Sequence, residues 1–151
     1  MTPSFAPGQP GIPPRWTSSA KSGVGTSLST TSRVWFTLSH GILNEVYYPR
    51  IDQACIRDLG LLVSDGADFF FSEEKRQTAS QIEMLAEGVP AFQLTNTCND
   101  GRSRIHKTVL TDPQRDVLLQ KIRFEPLQGQ LSDYHLYVLL APHLGNRGAN
   151  N

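Results

Sequence analysis

The side chains with the clearest potential for binding lie in one short stretch that follows a predicted strand. It contains two tyrosines, two arginines and two aspartates, namely Tyr47, Tyr48, Arg50, Asp52, Arg57 and Asp58. Tyrosine rings pack against the apolar faces of ligands, and paired Arg and Asp side chains form bidentate hydrogen bonds. The stretch therefore suits contact with sugar hydroxyls. It also suits a polar network that packs this loop against a neighbouring domain, and both interpretations remain open.

Acidic side chains are not paired by any local spacing. Hydrolysis of a glycosidic bond requires two carboxyl groups about 5 to 9.5 Å apart, one on each side of the bond. Glu45 lies within a predicted strand, where we interpret it as a surface group or as the partner of a cation such as Arg57. The other candidates are Asp52, Asp58, Glu73, Glu74 and Glu83. Since the sequence places none of them beside Glu45, we predict no catalytic residue in this chain.

Other catalytic and cofactor signatures are missing from the sequence. No G-x-S-x-G motif is present, and Gly23-Val24-Gly25 lacks the rest of a dinucleotide fingerprint. The four histidines lack the spacing of metal ligands; they are His40, His106, His135 and His143. We predict no cofactor and no metal site. A Cys55–Cys98 bridge is conceivable, but we favour two separate buried or half-buried thiols.

Composition narrows the class of protein. The 151 residues are enough for one domain with a core. Fourteen basic and fourteen acidic side chains cancel, which argues against a nucleic-acid surface or a polybasic membrane contact. No apolar run approaches the roughly 20 residues that span a bilayer. Residues 1–14 do not resemble a signal peptide. We therefore expect a cytoplasmic protein, or a secreted or periplasmic one if the true N-terminus is missing.

A predicted β-hairpin positions the polar stretch. Val34 to Leu38 is rich in β-branched and aromatic residues, Ser39-His40-Gly41 interrupts it, and Leu43 to Tyr48 forms a second run. Pro49 ends the second strand because proline has no N–H to donate to a ladder. The charged residues that follow are therefore predicted to lie on a loop, where a rigid scaffold usually places functional groups.

The remainder of the chain predicts an all-β protein. Alternating or continuous apolar runs bounded by turn residues predict strands at 59–63, 69–71, 91–98, 104–111, 117–125 and 133–141, with a further strand after a loop near 78. We interpret the charged run 72–76 as a solvated turn. Turn signals recur about every 8 to 12 residues, which is typical of an antiparallel β-sandwich.

Residues 1–32 are predicted to be an extended lead-in that packs on the sandwich of residues 33–151. The segment is rich in Pro, Ser, Thr and Gly, and residues 15–32 show no apolar periodicity, so we interpret them as loop. Trp16 is the exception. It either anchors the loop on the edge of the core or stacks on a sugar ring.

Two phrases of the sequence carry a family resemblance. WTSSAKSGVGT and RVWFTLSHGILNEVYYP, continued by FFFSEEKR, resemble the N-terminal domain of bacterial glucoamylases and glucodextranases, the family-15 glycoside hydrolases. The resemblance covers nearly the whole chain. It implies the first part of a large β-sandwich that precedes a helical barrel, and it implies that the catalytic carboxylates belong to that barrel. It also implies that the Pro-Arg-x-Asp loop faces the barrel.

The resemblance predicts a non-catalytic region of an exo-acting enzyme that hydrolyses α-glucosidic bonds with inversion. The partners would be a starch-, maltooligosaccharide- or dextran-like glucan and the helical barrel of the same protein. Linkage specificity, α-1,4 or α-1,6, would be set by the barrel. The sandwich would be incomplete at its C-terminus and its open edges prone to aggregation. The alternative is a free-standing carbohydrate-binding or protein-interaction module.

Overall fold

Two antiparallel β-sheets face each other in the structure, a computed structural model that describes residues 20–66 and 70–143. The strands of the first sheet, sheet A, are β1 (Gly23–Thr26), β2 (Trp35–Ser39), β3 (Ile42–Tyr47), β4 (Ala54–Ser64), β5 (Phe71–Glu73) and β10 (His135–Pro142). Sheet B contains β6 (Thr78–Met84), β7 (Phe92–Cys98), β8 (Ser103–Thr111) and β9 (Leu118–Pro126). A short 3₁₀ helix, Leu131–Asp133, precedes β10. The predicted antiparallel sandwich is confirmed.

The order of strands follows the chain except at one point. Sheet A runs β1-β2-β3-β4-β10, with β5 paired to β4 beyond the N-terminal end of β3, and sheet B is the simple meander β6-β7-β8-β9. The predicted hairpin is confirmed as β2 and β3. His40 and Gly41 both have positive φ, 52° and 73°, which matches the twist that a two-residue hairpin turn requires.

The core lies between the sheets. Its larger cluster joins Phe36 and Leu38 of β2 to Phe92 and Leu94 of β7. The rings of Phe36 and Phe92 meet edge to face with centroids 6.1 Å apart. In β7 and β8, buried residues that face the core alternate with more exposed residues, as the period-two pattern of the sequence predicted.

One buried ion pair crosses the core. Lys107 of β8 and Glu74, which follows β5, lie with Nζ and Oε1 2.6 Å apart, and neither side chain is exposed. Lys107 also donates to the carbonyl of Gly41 at 2.6 Å, and the Asn96 amide donates to the same carbonyl at 2.8 Å. The other Glu74 oxygen accepts the Leu61 N–H. These contacts join the two sheets and satisfy most of the cluster's polar groups; the exception is Asn96 Oδ1, which is buried without a hydrogen-bond partner.

The cluster corrects the interpretation of residues 72–76. Only residues 74–76 form a turn, since Ser72 and Glu73 complete β5, and Glu74 is buried rather than solvated. The sequence carries no signal that Glu74 is buried, because its partner Lys107 lies on a strand of the other sheet. Residues 78–84 form β6, in agreement with the strand predicted after a loop near 78.

The loop predicted for residues 15–32 is wrong in part. Gly23–Thr26 forms β1 and pairs with β2. Its two glycines are typical of a loop, but here they allow β1 to pack closely against the rings of Phe36 and Phe92. A Cβ on Gly25 would overlap the ring of Phe36, and one on Gly23 would lie 3.0 Å from Phe92. Trp16 and residue 69 lie outside the described residues.

The polar stretch after Pro49 also differs from its prediction. Tyr48 to Gln53 forms the connecting turn, whereas Arg57 and Asp58 belong to β4, which begins at Ala54. The strand signal was recognised only from Leu59 onward, since charged residues rarely occupy a strand that is paired on both sides. These two charges pair with each other within the strand.

One side of the sandwich is open in the described residues. There, β9 is the last strand of sheet B and β10 is the last strand of sheet A. Consecutive apolar side chains of β10 are exposed, and so are several on β9 and the segment between them. They are Leu119, Ile122, Leu127, Leu131, Leu136, Tyr137, Val138, Leu139 and Leu140. None of the described helices is long and apolar enough to cross a membrane.

Candidate functional site

The turn between β3 and β4 presents the first pair of predicted site residues. Its backbone is closed by hydrogen bonds from Tyr48 N to Gln53 O and from Gln53 N to Arg50 O, both 3.0 Å. Arg50 donates through Nε and Nη2 to the two oxygens of Asp52, at 3.0 Å each. The side chains are 71% and 61% exposed. This flat, bidentate pair projects into solvent together with Ile51, which is 66% exposed.

Tyr48 belongs to a second arrangement. Its hydroxyl accepts a hydrogen bond from Arg33 Nη2 at 3.0 Å, and the guanidinium lies 5.3 Å from the centre of the tyrosine ring. The same Arg33 binds Asp116 at 2.7 Å, and its backbone N–H donates to that carboxylate at 2.6 Å. The hydrogen bonds from Arg33 lower the pKa of Asp116. Arg33 therefore ties the start of β2 and the end of β3 to the loop between β8 and β9.

Tyr47, the next residue toward the sheet, faces a different partner. Its hydroxyl donates to Glu45 Oε2 at 2.7 Å, and burial, with that carboxylate, raises the pKa of Tyr47. Glu45 forms its ion pair with Lys21 at 2.8 Å. The suggested partner, Arg57, is therefore wrong for Glu45. Lys21 precedes β1, in the segment interpreted as loop, so no local pattern indicated the pairing.

Asp58 is the centre of the third arrangement. Its carboxylate accepts hydrogen bonds from Asn44 and Lys75 at 3.1 Å, and Arg57 Nε lies 3.3 Å from it. Asn44 also accepts a hydrogen bond from Lys21. A continuous network therefore joins Tyr47 and Glu45 to Asp58 through Lys21 and Asn44. It is buried or half-buried throughout, and it links β3 and β4 to Lys21, which precedes β1, and to the turn after β5.

The six predicted site residues thus occupy three different environments. Arg50 and Asp52 form an exposed pair, and Tyr48 belongs to the Arg33 cluster. The remaining three residues belong to the network around Asp58; they are Tyr47, Arg57 and Asp58. The sequence analysis missed four further members of these arrangements: Arg33, Asp116, Lys21 and Lys75. Each of them reaches its partners only through tertiary contacts. Nothing in the geometry tests whether any of these residues touches sugar, so that assignment stays a prediction.

Five of the six acidic candidates form ion pairs, whereas Glu83 is an exposed residue of β6. Besides the pairs above, Glu73 binds Arg76 at 3.3 Å and Glu74 binds Lys107. Within residues 20–66 and 70–143, no three His, Cys, Asp or Glu side chains gather as a metal-binding group. Cys55 and Cys98 are free thiols, half-buried and buried, which confirms the preferred interpretation. Burial raises the pKa of Cys55, which disfavours the reactive thiolate.

An apolar cavity of about 320 Å³ opens near the Arg33 cluster. It lies between the segment after β1, the β6–β7 connection and the β8–β9 loop. Its lining is Thr26, Ser27, Leu28, Leu85, Val89, Pro90, Ala91, Leu110, Thr111 and Pro113. No local pattern in the sequence indicates this cavity, because three separate segments form it.

Comparison with known proteins decides the family. The model of the family described as "Glucodextranase, domain N" matches residues 6–151. The chain belongs to this family. It is the N-terminal domain of the bacterial glucoamylase and glucodextranase type, which confirms the resemblance seen in the sequence.

Two glucoamylases show how much of a longer protein this domain represents. One, from Clostridium sp. (strain G0005), is 42% identical over 142 residues, which are 94% of this chain and 20% of that protein. The other is the crystal structure of a bacterial glucoamylase complexed with acarbose, at 40% identity and a TM-score of 0.85, covering 89% of this chain and 20% of that one. The chain thus spans about a fifth of the relatives that it matches.

Proposed function

We propose that this chain is the non-catalytic N-terminal part of an exo-acting glucoamylase or glucodextranase. The parent enzyme would hydrolyse α-glucosidic bonds of starch-, maltooligosaccharide- or dextran-like glucans with inversion, using carboxylates on a helical barrel outside this domain. The observation that carries the proposal is the match of sequence and fold to one fifth of a glucoamylase that binds acarbose. The substrate class is inferred for this chain only from its similarity to those glucoamylases.

The state of the acidic side chains supports a non-catalytic role. An inverting glycosidase needs one protonated carboxyl and one free carboxylate that activates water. Here Glu45 and Asp58 each bind a lysine, and Glu74 is enclosed in the core with Lys107. The oxygens of these three carboxylates are therefore engaged by protein cations.

Two surfaces support the proposal that this domain works as part of a larger assembly. The open side formed by β9 and β10 leaves an edge strand and apolar side chains in water, and we propose that polypeptide following this domain covers them as further strands. The Arg50–Asp52 turn would face the barrel, where its role is either packing or contact with glucan.

Glucose release from maltose, starch and dextran tests the proposal. The 151-residue chain alone should release no glucose, whereas the parent enzyme should. Measurable turnover by the chain that disappears in Glu45→Gln would overturn the proposal and relocate the active site to this domain. Retention of the inactive chain on immobilised starch, with no barrel encoded after Asn151, would favour the free-standing carbohydrate-binding module instead.

A further inference from the structure

One end of the sandwich, which we call the Tyr48 end, combines the apolar cavity with the β3–β4 turn. Strand register places them together. Thr26 of β1 lies opposite Trp35, Trp35 lies opposite Tyr47, and Tyr47 lies opposite Ala54. The cavity-lining residues that follow Thr26 are therefore at the same end as the turn that follows Tyr47.

This end is unusually apolar for an exposed surface. Leu28 is 73% exposed, Leu85 is 45% exposed, and Ile51 projects from the turn. Other exposed apolar side chains at the same end are Tyr48, Met84 and Val117. Of these residues, Leu28 and Leu85 line the cavity, which also reaches buried Ala91. A cavity with exposed apolar side chains at its mouth has the form of a protein contact rather than of ordinary surface.

The chemistry of the lining selects an apolar occupant. Most of the lining residues are Leu, Val, Pro and Ala. Two of the hydroxyls at the wall are already engaged, since Thr26 Oγ1 donates to Val34 O at 2.8 Å and Ser27 Oγ accepts the Ser29 N–H at 3.0 Å. A glucose ring carries hydroxyls around its edge and would leave most of them without partners here. An aliphatic or aromatic side chain would lose nothing on entering.

Ion pairs border the apolar region on one side. Arg33 and Asp116 lie beside the cavity through the loop that also carries Pro113, and Arg50–Asp52 lies on the turn. A polar rim around an apolar centre is the usual anatomy of a specific interface, because the rim excludes water while the centre supplies affinity.

We propose that the cavity at the Tyr48 end receives an apolar side chain from the part of the parent glucoamylase that lies outside this domain. The inference rests on the proposed function, because the occupant is taken from the four fifths of the relatives that this chain does not span. It specifies where this domain contacts the rest of the enzyme and that the contacting side chain is apolar. The contact would be a single apolar anchor seated among Leu28, Leu85 and Ala91.

Hydrogen exchange of the full-length parent enzyme tests the inference. Leu85→Asp should accelerate exchange about tenfold or more in the segments that form the cavity, because a carboxylate cannot be buried against an apolar anchor. Leu28→Asp should have the same effect. Leu127→Asp is the matched control: it is similarly exposed, at 39%, and lies in the loop after β9 at the other end of that strand. It should leave the cavity segments unchanged.

The outcomes separate the inference from the proposed function. Unchanged exchange in both cavity variants, in an enzyme that still releases glucose, overturns the inference and leaves the function intact. Equal acceleration by Leu127→Asp also overturns it, since the effect would then be general. Conversion of a dimer to a monomer by Leu85→Asp, seen by light scattering, would identify a second copy as the occupant and would likewise overturn it. Absence of glucose release by the unmodified parent overturns the proposed function alone.

Discussion

The ammonium of Lys107 and the carboxylate of Glu74 lie 2.6 Å apart with neither side chain exposed to solvent. Removal from water is unfavourable for both charges, and burial lowers the pKa of Lys107. The pair is satisfied by hydrogen bonds to the Gly41 carbonyl and the Leu61 N–H. Since these groups come from both sheets, the pair fixes how sheet A sits on sheet B.

Lys107→Met should therefore destabilise the fold by about 3 to 5 kcal/mol, because it leaves a buried carboxylate without its cation. The double variant Lys107→Met/Glu74→Gln should recover much of that loss, since the remaining amide can still accept the Leu61 N–H. Equilibrium unfolding in urea measures both free energies. A cost below about 1 kcal/mol for Lys107→Met would show that the pair is not important for stability.

Gly41→Ala should be more destabilising than Gly101→Ala. Both glycines have positive φ, 73° and 66°, so each substitution carries the strain of that conformation, about 1 kcal/mol. Only at Gly41 would the new Cβ also overlap the Asn96 side chain, whereas at Gly101 nothing lies within 4 Å. Thermal unfolding of the two variants isolates the contribution of the overlap. Equal melting temperatures would mean that Asn96 moves aside freely.

Asp116→Asn should reduce the loss of stability that the domain shows as the pH falls into the acid range. The pKa of Asp116 is lowered from 3.8, first by the Arg33 hydrogen bonds. A carboxyl with a lowered pKa in the folded state contributes stability that is complete above its unfolded pKa and is lost as pH falls through the folded value. The wild type should therefore lose this contribution below about pH 4. Melting temperatures from pH 6 to 2.5 test it, and Arg33→Met should remove the same pH dependence.

Arg50→Ala and Asp52→Ala should each change the stability of the isolated domain by less than about 0.5 kcal/mol, because an exposed pair contributes little. In the parent enzyme the same variants should lower activity or melting temperature, if the turn is desolvated against the barrel. A loss in turnover would indicate contact with glucan, and a loss in stability would indicate packing. Silent variants in both assays would show that this turn is ordinary surface.

The all-β architecture could be predicted because most strands alternate visibly. In β7, Phe92, Leu94 and Asn96 point inward and the residues between them outward, and this period needs no knowledge of the partner sheet. The hairpin of β2 and β3 was equally clear from its two apolar runs and the glycine between them. The family could be recognised because two long phrases of this region are distinctive.

The errors share one physical cause. Gly23–Thr26 looks like a loop until Phe36 is placed beside Gly25, and Glu74 looks solvated until Lys107 is placed beside it. In both cases the residue that explains the local structure lies on another strand. The same applies to Arg33 and Asp116, which are 83 positions apart. Local patterns contain no information about such contacts, so the arrangement of the candidate site required the structure.

The position of β10 has a consequence for how this domain is made. Strands β4 and β10 are neighbours in sheet A, yet the whole of sheet B lies between them in the chain. Sheet B is a meander of adjacent strands and can form from short-range contacts, whereas one edge of β4 must wait for a strand that is synthesised after all of sheet B. During synthesis, sheet B should therefore acquire protection first, while one edge of β4 stays unpaired until His135–Pro142 has left the ribosome.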